Sequence, residues 1–187
     1  MQSIGFKEWA LVCAALGSGR QTLIIRKGGL AEGRNGFAFQ HREFFLFPTY
    51  FHEQLDRVRS PDAILPEASP NEIEIRYFAR VLQARVVTDW EEVRALEPQH
   101  ILREEVVKER FESGDAPGVH VALVEVFRLE PIWRFPDAKS YGGCRSWIDL
   151  PAPRADLRLQ RIPAAESSDR VKAGHNVGQG TSLSPLS

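Results

Sequence analysis

The chain has 187 residues, of which 24 are Lys or Arg and 25 are Asp or Glu, so its formal net charge is −1. Apolar residues make up 43% and charged residues 26% of the sequence, values typical of a globular domain and not of an intrinsically disordered chain. The near-neutral balance excludes a global basic field, but not local basic patches. Two cysteines, Cys13 and Cys144, are too few for a disulfide framework or a cysteine-rich zinc site. The longest apolar run, Trp9–Leu16, is too short to cross a bilayer, so we expect no membrane partner.

The chain begins with short β-prone runs separated by glycine turns. Residues 6–16 and 22–25 flank Gly17-Ser18-Gly19, a pattern that predicts a β-hairpin. A glycine-rich loop follows at residues 28–36, and the aromatic residues between 37 and 47 predict another pair of strands. We therefore expect the N-terminal part to be mostly sheet.

Prolines mark the next segment. Pro48 can occupy the first position of a helix, which predicts a short helix over residues 49–58. Three prolines then prevent regular structure across residues 59–71. We expect this proline-rich loop to join two lobes of one domain.

A strand and two helices are predicted after the proline-rich loop. Alternating apolar residues across 73–81 predict a half-buried strand that continues to Val87 beyond a bulge. Two overlapping capping boxes begin a helix, namely Thr88 with Glu91 and Asp89 with Glu92. Pro98 ends that helix and opens the next one.

The last part of the chain predicts strands and a tail. Residues 119–127 form a well-defined strand pattern, and residues 145–150 a final one. Residues 161–187 hold few large aliphatic side chains, so we predict a disordered tail. Residues 1–160 are then a single α+β domain, with a mainly antiparallel sheet that would fit a pseudo-barrel and two or three helices.

The segment 20–42 has the composition of an anion-binding site. It carries five basic residues against one acid, and glycines there would let backbone N–H groups approach a ligand. The candidates for contact with phosphate are Arg26, Lys27, Arg34 and Arg42. The candidates for stacking on a base are Tyr50 and Trp147. An alternative is that the basic segment pairs with the acidic stretch 89–112, whose net charge is −4.

Two other functions stay open. If a strand and a helix bring them together, His41, Glu43 and His52 could perform acid–base chemistry in a small hydrolase or phosphoester-acting enzyme. The aromatic residues 44–51 could instead dock a protein partner. His52 and Asp56 lie four residues apart, but no third ligand is evident, so we predict no metal and no cofactor.

Several short motifs follow one another in a fixed order. They are Phe6-Lys7-Glu8-Trp9, Arg26-Lys27-Gly28-Gly29, Glu32-Gly33-Arg34, His41-Arg42-Glu43-Phe44, the run from Leu46 to His52, and Tyr141-Gly142-Gly143-Cys144 with Ser146-Trp147. Their combination resembles the bacterial family known as domain of unknown function 1802, over about residues 4–152. The resemblance implies a cytoplasmic protein. It also implies nucleic-acid or defence work, because such domains accompany restriction-endonuclease-like domains. The first hypothesis is therefore a nucleic-acid-binding accessory domain.

Overall fold

A computed structural model of the chain describes residues 2–27, 38–60, 62–113 and 116–165. The strands and α-helices are, in chain order, β1 (Ile4–Trp9), α1 (Ala10–Gly17), β2 (Leu23–Arg26), β3 (Glu43–Thr49), β4 (Glu72–Val87), α2 (Trp90–Arg94), α3 (Glu104–Glu112), β5 (Val119–Pro136), β6 (Trp147–Asp149) and β7 (Arg158–Ile162). Short 3₁₀ helices cover His52–Arg57, Glu97–Gln99 and Lys139–Tyr141. No helix in these ranges has the length and apolar character to cross a membrane.

The strands form one mainly antiparallel sheet in the order β2-β5-β4-β3-β1-β6. β7 pairs with the same edge of β5 as β2, further along that strand. β1 and β3 run parallel, whereas the other strand pairs are antiparallel. The predicted α+β class with a mainly antiparallel sheet is confirmed, and the sheet of the described residues stays open.

Strand β3 is buried on both faces of the sheet. Phe44 and Leu46 belong to one hydrophobic core, which α1 and α3 help to cover, while Phe45 and Phe47 belong to a second core. The second core also contains Trp133 from the far half of β5. All four β3 side chains are at most 5% exposed. The prediction that this aromatic run offers a docking surface is therefore wrong for residues 44–47.

Two predicted elements of the N-terminal part are wrong. The apolar run after Trp9 forms α1 instead of one arm of a hairpin, and seven of its eight residues are buried. A helix buried all round has no polar stripe, so its sequence cannot be distinguished from a buried strand by periodicity. Pro48 lies inside β3, and the predicted helix shortens to the 3₁₀ turn 52–57.

The C-terminal predictions are closer to the structure. β4 has two register shifts against β5, between Ile75 and Tyr77 and between Val81 and Gln83, so the bulged strand is confirmed. The first residues of the predicted tail, 161 and 162, complete β7 and pair with β5. Residues 166–187 of that tail lie outside the described residues.

Candidate functional site

Two adjacent charged residues of β1 face opposite sides of the sheet. β1 lies between β3 and β6, and neighbouring side chains on a strand alternate between faces. Lys7 opens onto a groove beside Phe47 and the second core, whereas Glu8 lies near Arg26. The strand thus separates an internal ion pair from a cation that lines an open groove.

The Glu8 side is an internal structural cluster. The Glu8 carboxylate is 1% exposed, accepts the backbone N–H of Trp9 at 2.9 Å, and lies 3.9 Å from Arg26 Nη1. Arg26 also donates to the carbonyl of Lys7 at 3.2 Å and to Oγ of Ser146 at 2.6 Å. One guanidinium therefore ties β2 to β1 and to the residue before β6.

A second guanidinium lies behind Glu8. Arg110 of α3 donates to the carbonyl of Ile25, and its guanidinium lies 4.7 Å from the ring centroid of Trp9. Burial lowers the pKa of Arg110 to about 10, and the neighbouring Glu8 carboxylate opposes that shift. Arg110 stays protonated at neutral pH and adds a second positive charge near Glu8.

The Lys7 side is an open groove of about 630 Å³. It lies between the end of β3, the start of β4 and the connection from β5 to β6. Its charged and tyrosine lining consists of Lys7, Tyr50, Asp137, Lys139 and Tyr141. The ammonium of Lys7 is held in place by donating to the carbonyl of Gly143 at 2.9 Å. We call this space the Lys7 groove.

The Lys7 groove carries uncompensated positive charge. Burial lowers the pKa of Lys7, the nearby Arg145 lowers it further, and Cys144 partly offsets the shift. Within the part of the chain that the structure describes, Lys7, Lys139 and Arg145 form no ion pair with a carboxylate. Asp137 also lines the groove, where one of its oxygens accepts the N–H of Ala138. Lys7 and Lys139 outnumber the single lining carboxylate, Asp137, and with the charge of the nearby Arg145 they make this region attractive to an anion.

The structure spreads the predicted phosphate contacts over several places. Arg26 donates inward, and Lys27 donates its ammonium to the carbonyl of Ala116 at 2.5 Å. Arg42 is exposed and lines a different groove, of about 1000 Å³, with His41 and Glu43. Arg34 lies outside the described residues.

The two predicted stacking residues differ in their surroundings. Tyr50 is 38% exposed and lines the Lys7 groove. The ring centroid of Trp147 lies 4.7 Å from that of Phe6 and 4.9 Å from that of His41, which it meets edge-on. The indole N–H of Trp147 donates to the carbonyl of Ala38 at 3.2 Å. Of the sequence candidates that the structure describes, Tyr50 is thus the one that lines the Lys7 groove.

The structure does not gather the three acid–base candidates. His41 precedes β3 and His52 begins the 3₁₀ turn after it, so a seven-residue strand of about 23 Å lies between them. Glu43 accepts from Nε of Arg80 at 2.9 Å, across the sheet. No group of three or more His, Cys, Asp or Glu side chains in the described ranges is arranged to hold a metal ion.

Lys7, Lys139 and Arg145 are not among the residues for which the sequence predicts a role. Lys7 and Tyr141 did occur in the motifs quoted for the family resemblance. The available signal was a Lys-Glu pair inside an otherwise apolar strand, because charged residues are rarely buried without a partner. Lys139 and Arg145 carry no comparable signal, since exposed cations in a loop are common.

Comparison with known proteins gives one family and one solved protein. The family model described as Domain of unknown function (DUF1802) matches residues 5–169. No curated protein matches the chain. The chain is similar to the crystal structure of ASCH from Zymomonas mobilis, with 14% identity and a TM-score of 0.41, and it spans 65% of each chain. A serine-to-alanine mutant of that protein has 12% identity and a TM-score of 0.47, and the match covers 79% of this chain and 87% of the mutant. A tyrosine-to-phenylalanine mutant has 13% identity and a TM-score of 0.47, and the match covers 81% of this chain and 91% of the mutant.

Proposed function

The chain belongs to the DUF1802 family, and we propose that its biochemical role is to bind single-stranded nucleic acid in the Lys7 groove. The observation that carries the proposal is the excess of cations there. Lys7 and Lys139 line one open groove, and Arg145, which donates to the carbonyl of Ser140, lies near enough to lower the pKa of Lys7. None of the three cations has a carboxylate ion pair in the described residues. Lys and Arg are the side chains that neutralise phosphates, and phosphate contacts dominate the affinity for nucleic acid.

The aromatic lining favours a strand with unpaired bases. Tyr50 and Tyr141 line the same groove as Lys7 and Lys139. The ring of Tyr141 packs 5.6 Å from Phe47 and 5.8 Å from Phe135, which holds it in position. Bases stack on such rings when they are unpaired, as in single strands, loops and bulges.

The roles of the earlier candidates change accordingly. Tyr50 keeps its proposed stacking role, and the phosphate contacts pass to the cations of the Lys7 groove. Arg42 and Arg34 remain candidates for contacts further along a strand. Arg26 lies beside the buried Glu8 carboxylate, Lys27 does not line the Lys7 groove, and Trp147 packs within the protein, so we propose structural roles for these three.

We extend the proposal to an accessory role in restriction or defence, in the cytoplasm, as the family resemblance implies. Its support is the family membership and the groove charge. The check is to purify the tagged protein from its bacterial host with crosslinking. Recovery of nucleic acid together with a nuclease is the expected outcome, and recovery in the membrane or secreted fraction would contradict it.

The proposal predicts salt-dependent binding that the groove cations control. Labelled single- and double-stranded DNA and RNA of equal length are titrated by fluorescence anisotropy at low and moderate salt. We expect single strands to bind, with affinity falling steeply as salt rises, because contacted phosphates release counterions. The double substitution Lys139→Gln and Arg145→Gln should weaken binding and reduce the salt slope by about 2, or about 1 per lost contact.

The matched control removes a cation elsewhere. Lys108→Gln on α3 deletes a lysine whose ammonium lies 3.8 Å from Glu112 and far along the chain from the groove residues. It should leave affinity and slope unchanged. No binding to any strand at low salt, or equal slopes for the control and the double variant, would overturn the proposal.

A further inference from the structure

A second cavity adjoins the Lys7 groove. Its volume is about 320 Å³, and it lies between α1, β3 and β4. Pro48 and Tyr50 line both spaces, so the two openings share one wall. Both volumes fall in the range of about 300–1,000 Å³ that ligand sites occupy.

The walls of this cavity are mostly apolar. Ala10 and Ala14 of α1 leave room on one side, and the buried thiol of Cys13 lies between them in the sequence. The ring of Tyr77 lies directly on α1, because a Cβ on Gly17 would come within 2.0 Å of its Cζ. Glycine at that position therefore lets an aromatic ring form a wall of the cavity.

The mouth of the cavity offers hydrogen-bonding groups. Glu74 accepts from Nε of Arg134 at 2.8 Å and from Oγ of Ser69 at 3.2 Å, and Arg76 also donates to it. Hydrogen bonding to Arg134 is the main cause that lowers the pKa of Glu74, which stays ionised. The side chain of Arg76 is 52% exposed, so its remaining N–H groups are accessible from the mouth.

Tyr50 stands between the groove and the cavity. Burial raises the pKa of its phenol, and the Cys13 thiol raises it further, so the hydroxyl stays neutral and can donate or accept. Within the described residues the hydroxyl has no hydrogen-bond partner. A neutral phenol and a guanidinium then face a space bounded by apolar walls.

We propose that this cavity receives one unpaired base of the strand whose phosphates lie in the Lys7 groove. The inference rests on the proposed function and names the part of the ligand that the second space takes. A base has two apolar faces and a polar edge, which matches mostly apolar walls with hydrogen-bonding groups at the mouth. Because Tyr50 borders both spaces, the backbone and the inserted base of one nucleotide can occupy them together.

The experiment compares a normal single strand with an abasic strand of the same length and charge. Anisotropy titrations of the unmodified protein should show the normal strand binding about 5- to 150-fold more tightly, the range for stacking of one base. Ala14→Leu fills the cavity from α1 with a good helix former. It should reduce the preference for the normal strand at least about 5-fold and leave the affinity for the abasic strand unchanged.

The control adds the same side chain outside the cavity. Ala95→Leu, at the exposed end of α2, should keep the full preference. Ala14→Met is a second filling variant with a more adaptable side chain, and it replaces Ala14→Leu if circular dichroism shows that the latter disturbs α1. If the cavity is filled and the preference for the normal strand over the abasic strand is unchanged, the inference is overturned, whereas the proposed binding in the Lys7 groove is not. Absence of binding to both strands would overturn the proposed function itself.

Discussion

Arg26 stabilises the fold because a carboxylate is buried beside it. Glu8 is nearly inaccessible, and Arg26 lies 3.9 Å away while bonding to Ser146 and to the carbonyl of Lys7. Removing one partner of a buried pair typically costs about 3–5 kcal/mol, and the Arg110 guanidinium near Glu8 keeps the expected loss at the lower end of that range. The cost is set by desolvation of Glu8 and not by the attraction alone.

We therefore expect Arg26→Met to lower the free energy of unfolding by about 3 kcal/mol, as measured by urea denaturation. The exposed Arg42→Met serves as the control and should change stability by less than about 0.5 kcal/mol. Adding Glu8→Gln to Arg26→Met should recover part of the loss, because the orphaned charge disappears. A stability equal to that of the parent protein would show that Arg26 is free for a ligand instead.

His100 gives the protein a pH-dependent stability. It is 5% exposed, and its Nδ1 accepts the backbone N–H of Leu102 at 3.2 Å, which requires an unprotonated nitrogen. Burial is the main cause that lowers its pKa to about 4, and the charges of Arg59 and Arg110 add to the effect. The folded state therefore prefers neutral His100, whereas the unfolded chain takes up a proton near pH 6.5.

The sign follows from that difference. The contribution of neutral His100 to the free energy of unfolding is fully present above about pH 6.5. It is lost as the pH falls towards 4, because the unfolded state then binds one more proton than the folded state. Over that window the loss amounts to about 3 kcal/mol. Denaturation at several pH values should show a shallower acid slope for His100→Asn, which keeps an acceptor but does not titrate. Parallel slopes for the two proteins would contradict the assignment.

At the scale of elements, one of the two predicted capping boxes begins α2. The Asp89 side chain accepts the backbone N–H of Glu92 at 2.9 Å, while Thr88 lies outside the helix. Losing an N-cap side chain costs about 1 kcal/mol.

Asp89→Ala should lower the free energy of unfolding by about 1 kcal/mol, and a thermal melt would register it as a lower Tm. Thr88→Ala removes the neighbouring candidate and should have little effect. A larger loss for Thr88→Ala than for Asp89→Ala would mean that the helix begins one residue earlier.

The elements differ in how far their sequences reveal them. The alternating pattern located β4, but it located only residues 119–127 of β5, which continues to Pro136. The run Ala10–Gly17 is apolar throughout, and its helical state depends on packing between the sheet and the rest of the first core. β7 holds two half-buried side chains, too few for a strand signal before its pairing with β5 is known.

At the scale of the whole molecule, the candidate site was less predictable than the fold. The sequence placed Tyr50 among the candidate binding residues, but it predicted no role for Lys7. The groove around Lys7 is built in part by residues 137–145, which are distant in sequence. The basic residues Arg26 and Lys27 drew attention by composition, yet their donors are directed at protein oxygens. Which cations border an open groove depends on long-range contacts that spacing along the chain does not encode.

The position of β1 between β3 and β6 has a consequence for biosynthesis. Ile4 pairs with Asp149, and Lys7 donates to Gly143, so the earliest strand waits for some of the last described elements. Contacts of such separation form late and slow folding. During translation, β1 and β3 can pair while the chain is half made, but neither the Lys7 groove nor the Arg26–Ser146 bond exists until residue 149 has left the ribosome. A nascent chain therefore lacks the Lys7 groove until the residues after β5 have emerged, and a ligand of that groove would bind only once most of the described fold has formed.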